Sequence, residues 1–247
     1  MIKAVLFDID NTLILFNEHK FMEGYLPSVF KEFSDILEQE EFFMRIMNAT
    51  KQVAMNNGEI PNDEYFLRIF SQGKDWSYSE IWGRFENYYD TKFESFKSVV
   101  EPAPGAGELF SEIKRKNLKI VLASNPLWPE NVQLMRAEWA GFKDCNFAFV
   151  SHISNMRYCK PDVKFFEHIC DEIDTAPEHC LMVGNDEIQD MSAKTAGMKT
   201  FLTFDGKKYN NEFFLQNYHS HLKGNVPKPD YSGSLLDVVN VINSIAD

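Results

Sequence analysis

The chain has 247 residues, a formal net charge of −12 and four cysteines. That acidic balance argues against a nucleic-acid or anionic-membrane surface, either of which needs a basic patch. The length is long for one compact domain and short for two, so one core carrying a substantial insertion is expected. Cys145, Cys159, Cys170 and Cys180 show neither zinc-knuckle nor Cys-x-x-Cys spacing and read as reduced core residues. No secretory peptide and no membrane-length apolar run is visible, and the expected location is cytoplasmic.

In chain order, the first element is a short apolar run, 4–7, ending in Asp8 and Asp10. An unbroken apolar run of this kind reads as a strand buried on both faces of a parallel sheet. From 16 to about 100 the texture changes. Phe21, Tyr25, Val29 and Phe33 step by four, and the groups 42–50, 65–70 and 81–89 repeat with 3-4 spacing. Breaks fall at 56–58, 61–63 and 72–73; Asp63 and Ser77 are candidate helix N-caps, Ser77 with Glu80 in a capping box. A small helical bundle inserted after the first strand is therefore expected. It holds 18 of the 35 aromatic residues, which suits both a tightly filled bundle core and a pocket wall.

Pro102 and Pro104 mark the return to the core. Helices are expected over 106–116, 130–140, 163–173, 187–196 and 234–245. Strands are expected over 118–123, 146–150, 180–183 and 199–204, and irregular or partly helical chain over 206–230. Strands alternating with helices predict a parallel α/β sheet of the doubly wound, Rossmann-like kind. The expected core is 1–15 and 101–247, with an all-helical cap domain at 16–100.

Chemistry-bearing residues cluster at the expected strand ends. Asp8 and Asp10 repel each other unless a cation lies between them or one is protonated, and Mg²⁺ is the usual hard-oxygen choice. Both conditions suit phosphoryl transfer, in which one carboxylate attacks and its neighbour carries a proton. Ser124 and Asn125 follow the strand 118–123 and could hold a phosphate oxygen. Lys160 precedes Pro161 at a helix start, where a cation does nothing for the helix dipole but would neutralise nearby carboxylates. Asp186 and Asp190 are four apart at another expected helix start, where acids also favour the dipole.

In this order the four clusters resemble the motifs of the haloacid dehalogenase (HAD) superfamily. These are Asp-x-Asp-x-Thr-Leu at 8–13, Ser124 after the second core strand, Lys160-Pro161, and Gly184-Asn185-Asp186 with Asp190 downstream. The insertion falls where that family places a C1 cap. The resemblance implies a Mg²⁺-dependent phosphatase acting on a small phosphorylated metabolite. Asp8 would be the nucleophile, forming an aspartyl-phosphate, and Asp10 the acid and then the base. Ser124 and Lys160 would hold the phosphoryl group, aided by Asn125 and Thr12. Asp8, the main-chain carbonyl of Asp10 and a fourth-motif residue would ligate the metal.

The family usually has Gly-Asp where this chain has Gly184-Asn185-Asp186. Asp186 is assigned to the metal because it is charged. Asn185 fits the place counted back from Asp190, and Asn185 and Asp190 stand as alternative or supporting groups. Asp10 separates the chain from the dehalogenases, whose halide leaving group needs no proton. A phosphomutase on the same scaffold, or a non-catalytic phosphate- or metal-binding regulator, is the alternative. A receiver domain is about half this length, lacks the insertion and carries its phosphoacceptor on a later strand.

Overall fold

The computed structural model describes residues 1–209 and 226–245. The first strand, β1 (Ala4–Phe7), is fully buried, as its unbroken apolar run requires. A two-residue strand β2 (Ile14–Leu15) then leads into four helices: α1 (Glu18–Phe30), α2 (Gln39–Val53), α3 (Asn62–Phe70) and α4 (Tyr78–Thr91). A 3-10 stretch, Phe93–Val99, and strand β3 (Glu101–Pro102) close the excursion. β2 and β3 pair antiparallel, so the chain leaves and re-enters the core side by side.

The remainder alternates. Helix α5 (Ala106–Arg115) precedes strand β4 (Lys119–Leu122), and α6 (Glu130–Trp139) precedes β5 (Phe149–Val150). Helix α7 (Val163–Glu172) precedes β6 (Cys180–Gly184). Then come a 3-10 turn at Met191–Ala196, strands β7 (Lys199–Thr203) and β8 (Tyr231–Gly233), and helix α8 (Asp237–Ile245). The main sheet has the order β5-β4-β1-β6-β7-β8, with every neighbouring pair parallel. From β1 the chain builds outward through β4 and β5, then returns to build the other way through β6, β7 and β8. The strand order thus reverses at β1, and the carboxyl end of that strand opens the crevice where such sheets bind ligands.

Side chains alternate across the sheet with the period of two that a strand imposes. Val5, Phe7, Ile120, Leu122, Leu181 and Val183 face α5, α6 and α8. Ala4, Leu6, Val121 and Met182 face α7 and the 191–196 turn. The first of these layers runs without a break into the helical insertion, where Val29, Phe33, Phe42, Phe70 and Phe85 are buried. Phe33 and Phe85 have ring centroids 4.7 Å apart, and Phe33 and Phe42 5.1 Å apart, within the range in which aromatic pairs attract.

Several expectations change. Residues 187–196 do not form a regular helix: the Asp186 carboxylate binds the backbone N–H groups of Ile188 and Gln189, and only a 3-10 turn follows. Gly197 ends it at φ 95°, as a C-terminal glycine does. Asp63 lies inside α3 rather than capping it, and Pro61 is the N-cap; the Asp63 carboxylate instead accepts the Tyr78 hydroxyl at 3.0 Å. Ser77 does cap α4, accepting the Glu80 N–H at 3.2 Å. The strand expected at 146–150 shortens to Phe149–Val150. Of the stretch 206–230, residues 210–225 lie outside the described residues, and Asp205–Tyr209 is a 3-10 turn. All four cysteines are free.

Candidate active site

Four segments converge at the carboxyl end of β1. The chain after β1 turns back tightly, with the N–H groups of Thr12, Leu13 and Ile14 all directed at the Ile9 carbonyl, 2.9–3.2 Å away. Asn11 takes φ 54° in this turn, a conformation asparagine tolerates better than most residues. Its side-chain oxygen accepts the Phe16 N–H at 3.1 Å, which fixes the turn. Asp8 and Asp10 thereby face one cavity.

Lys160 is 2% exposed, and its ammonium bridges Asp8 Oδ1 at 2.8 Å and Asp190 Oδ1 at 2.6 Å. Burial alone would lower its pKa; Asp190 and Asp8 together outweigh that and raise it, so the ammonium stays charged. Burial pushes the Asp190 carboxyl up to about 7 against the pull of Lys160, and the charges of Asp8 and Asp186 add to the rise. Asp190 reaches this place because residue 184 is glycine. A Cβ there would lie 2.1 Å from Asp190 Oδ2.

The other oxygen of Asp8 meets a second group. The Thr12 hydroxyl lies 3.3 Å from Asp8 Oδ2 and 3.2 Å from Asn185 Oδ1, so one hydroxyl joins the first and fourth motifs. Asp186 also borders the cavity, but its Oδ1 accepts two backbone N–H groups at 2.8 Å each, and its own N–H donates to Asp190 Oδ2 at 2.9 Å. Asp186, the residue expected to supply the metal ligand, thus has one carboxylate oxygen committed to its own loop. Asp186 shapes the loop, and Asn185 is the fourth-motif side chain brought beside Asp8.

Ser124 is buried and borders the cavity, and its carbonyl accepts the Ser151 hydroxyl at 2.6 Å. Asn125 accepts the Lys160 N–H at 2.9 Å and donates to Gln189, which ties the second, third and fourth motifs together.

Three groups were not foreseen. Arg136 on α6, 3% exposed, bonds the Asp10 carboxylate and also donates to Gln133 Oε1 at 2.7 Å. Burial raises the Asp10 pKa, Arg136 opposes the rise, and the Asp8 charge supports it. The signal in the sequence was a charged residue on the apolar stripe of a helix, one turn from Val132. Glu18, the first residue of α1, borders the same cavity, and its pKa rises to about 7 through burial and the charge of Asp10. Gln189 had no local signal.

The cavity measures about 190 Å³. Its core end is charged; its other wall comes from the helical insertion and includes Phe21, Tyr25, Met47, Phe66, Trp82 and Phe85. Among the described residues, no group of three or more His, Cys, Asp and Glu is arranged to hold a metal ion. The geometry explains this: Asp190 is occupied by Lys160, Asp186 by its own loop and Asp10 by Arg136. Asp8 also gives one oxygen to Lys160, so what remains of the motif carboxylates is Asp8 Oδ2, near the neutral oxygens of Thr12 and Asn185. That set suits Mg²⁺, which usually keeps several waters and takes one or two carboxylates plus substrate phosphate.

The fold and site together define a doubly wound hydrolase scaffold with an aspartate–lysine pair at its switch point. The haloacid dehalogenase-like hydrolase family matches residues 2–197, and the chain belongs to that family. No curated protein sequence matches it significantly. Among solved structures it is similar to the HAD phosphatase from Thermococcus onnurineus, at 20% identity and TM-score 0.56, with 98% of each chain covered. The HAD-hydrolase YfnB from Bacillus subtilis, bound to magnesium, has 17% identity and TM-score 0.58, with 98% of this chain and 99% of that chain covered. The L-2-haloacid dehalogenase from Xanthobacter autotrophicus has 16% identity and TM-score 0.56, with 99% and 100% covered. At such identities these likenesses speak for the fold, which phosphatase and dehalogenase share. No helix among the described residues is long and apolar enough to cross a membrane.

Proposed function

We propose that the protein is a Mg²⁺-dependent phosphatase of small phosphomonoesters that works through an aspartyl-phosphate on Asp8. The observation that carries this reading is the pairing at the cavity floor: Asp8 lies 2.8 Å from the Lys160 ammonium, and Asp10 borders the same space. A halide leaves without a proton, whereas an alkoxide needs one, and in this reading Asp10 gives it.

In this reading an Asp8 oxygen attacks phosphorus as the ester P–O bond breaks, and Asp10 delivers its proton to the departing oxygen. Water then attacks the phosphorus of the aspartyl-phosphate, Asp10 takes the proton, and the Asp8–phosphorus bond breaks to release phosphate. Burial favours the protonated form of Asp10 and Arg136 the ionised form, and a group serving as acid and then base needs access to both. Lys160 holds Asp8 in place and offsets charge on the transferring group, Ser124 and Asn125 border that position, and the Thr12 hydroxyl contacts Asp8. A bound Mg²⁺ would supply electrostatic stabilisation of the phosphoryl oxygens. Asp8, the main-chain oxygen of Asp10 and Asn185, in place of Asp186, would hold it. Residues 16–100 serve as the cap over a core of 1–15 and 101–247 and exclude water from the cavity.

The test is phosphate release from a panel of phosphomonoesters with and without Mg²⁺, beside Asp8→Asn. Mg²⁺-dependent turnover that falls by at least ~10⁴-fold in Asp8→Asn is expected, the scale on which loss of a nucleophile is felt. Turnover that survives the substitution removes Asp8 as nucleophile. Asn185→Ala should raise the Mg²⁺ requirement more than Asp186→Asn; the reverse order would restore Asp186 as the ligand.

A further inference from the structure

The cavity has two unlike ends, and the end away from Asp8 carries chemical information. The helices supply four polar groups to it: Glu18, Thr50 and the hydroxyls of Tyr25 and Tyr89. The two tyrosine hydroxyls lie 2.8 Å apart and bond each other, leaving one O–H hydrogen between them. The Trp82 N–H is taken by Glu86 Oε1 at 2.9 Å. Glu18 stands beside Asp10, at the charged end. Thr50, a single tyrosine hydrogen and the remaining lone pairs of the two tyrosine oxygens are then the polar resources the helices offer to a substrate's organic part. Around them, Met22, Leu26, Met47 and Leu127 are only partly buried, and each turns apolar surface into the cavity.

From this we infer that the substrate is a phosphomonoester whose alcohol part is one apolar, ring-sized group, an aryl or arylalkyl phosphate. The inference rests on the phosphatase reading above and narrows it. A hexose phosphate would bring more hydroxyls than this wall has groups to pair, and each unpaired buried hydroxyl weakens binding strongly. An apolar ring makes no such demand and removes the exposed methionine and leucine surface from contact with water. Size agrees: a dry apolar cavity of about 150 Å³ accepts a benzene ring, and this one measures about 190 Å³ with its phosphoryl end included.

The experiment compares benzyl phosphate, glucose 6-phosphate and glycerol 3-phosphate as substrates in Mg²⁺. All three have primary-alcohol leaving groups, so differences report the organic part and not the ease of bond cleavage. A kcat/KM for benzyl phosphate at least ~100-fold above glucose 6-phosphate is expected, the range in which pocket chemistry discriminates. Met47→Gln, close to isosteric, should lower the benzyl phosphate value about tenfold, as a polar tip enters the ring site. Thr50→Val should raise it, which keeps the inference testable if Met47→Gln fails to fold. Comparable turnover of glucose 6-phosphate, abolished by Asp8→Asn, would overturn the substrate class while leaving the phosphatase reading intact. If nothing turns over, tryptophan fluorescence titrations with benzylphosphonate and methylphosphonate decide. Tighter benzylphosphonate binding would keep the ring pocket and discard the hydrolysis, and equal binding would overturn the pocket as well.

Discussion

The two ends of the cavity are built by different means. At the core end almost every polar atom is committed: Lys160 spans two carboxylates, Asn125 joins three motifs, and Asp186 spends its side chain on its own loop. At the helical end the partners are rings and methyl groups, and position follows from packing. A polar network fixes geometry but fails sharply when one member is removed. An aromatic wall tolerates shape-preserving change and sets what is accepted. In the proposed reading the charged end specifies which bond is attacked, and the apolar end what that bond is attached to.

The comparison is broken most severely by Lys160→Met, which leaves the Asp8 and Asp190 carboxylates facing each other without their cation. A loss of about 3–5 kcal/mol is expected in urea unfolding, the scale for removing one member of a buried charge cluster, together with loss of turnover. A smaller cost, about 1–3 kcal/mol, should follow Gly184→Ala, whose Cβ meets Asp190 at 2.1 Å. Activity should fall with it, because Asp190 can no longer hold Lys160. A loss of stability without a loss of activity would detach Asp190 from the site.

Glu18 probes the boundary between the two ends through pH. Its pKa in the fold is raised from the ordinary 4.5 to about 7, so the folded state holds a proton that the unfolded chain has released between those values. Stability from this group is therefore lost as pH rises from about 4.5 to 7, and the penalty is constant above that. Glu18→Gln should stabilise the protein by about 2 kcal/mol at pH 8, after allowance for the partial exposure of the side chain, and by little at pH 4. Equal effects at both pH values would refute the shift. The smallest effect belongs to the apolar end: Tyr25→Phe removes the hydroxyl pair and should cost about 1 kcal/mol, read as a modest drop in Tm.

The charged end was largely legible in the sequence because each motif is local. Asp8 and Asp10 share one strand end, and Lys160 and Asp190 sit at expected helix starts. The parallel sheet was legible from runs such as 4–7 and 180–183. Arg136 was not, because its meaning depends on Asp10, 126 positions away, which it meets only when α6 packs. The choice between Asn185 and Asp186 could not be made from composition, since charge favours one and backbone geometry the other. Strands β2, β3 and β8, of two or three residues, are too short to show a period. The pocket wall was visible only as an excess of aromatics; which rings face inward depends on how the four helices pack.

The paired strands β2 and β3 have a consequence for how such a molecule can change over generations. Ile14 lies opposite Pro102 and Leu15 opposite Glu101, so the excursion of more than eighty residues begins and ends at one place in the fold. A segment whose two ends are already joined can be lengthened, shortened or replaced at small entropic expense, because closing a longer loop costs only slowly more. The motifs that follow β1, β4 and β6 all lie outside the segment that hangs from that junction. One chemistry can thus be carried to new substrates by exchanging a single contiguous piece of coding sequence.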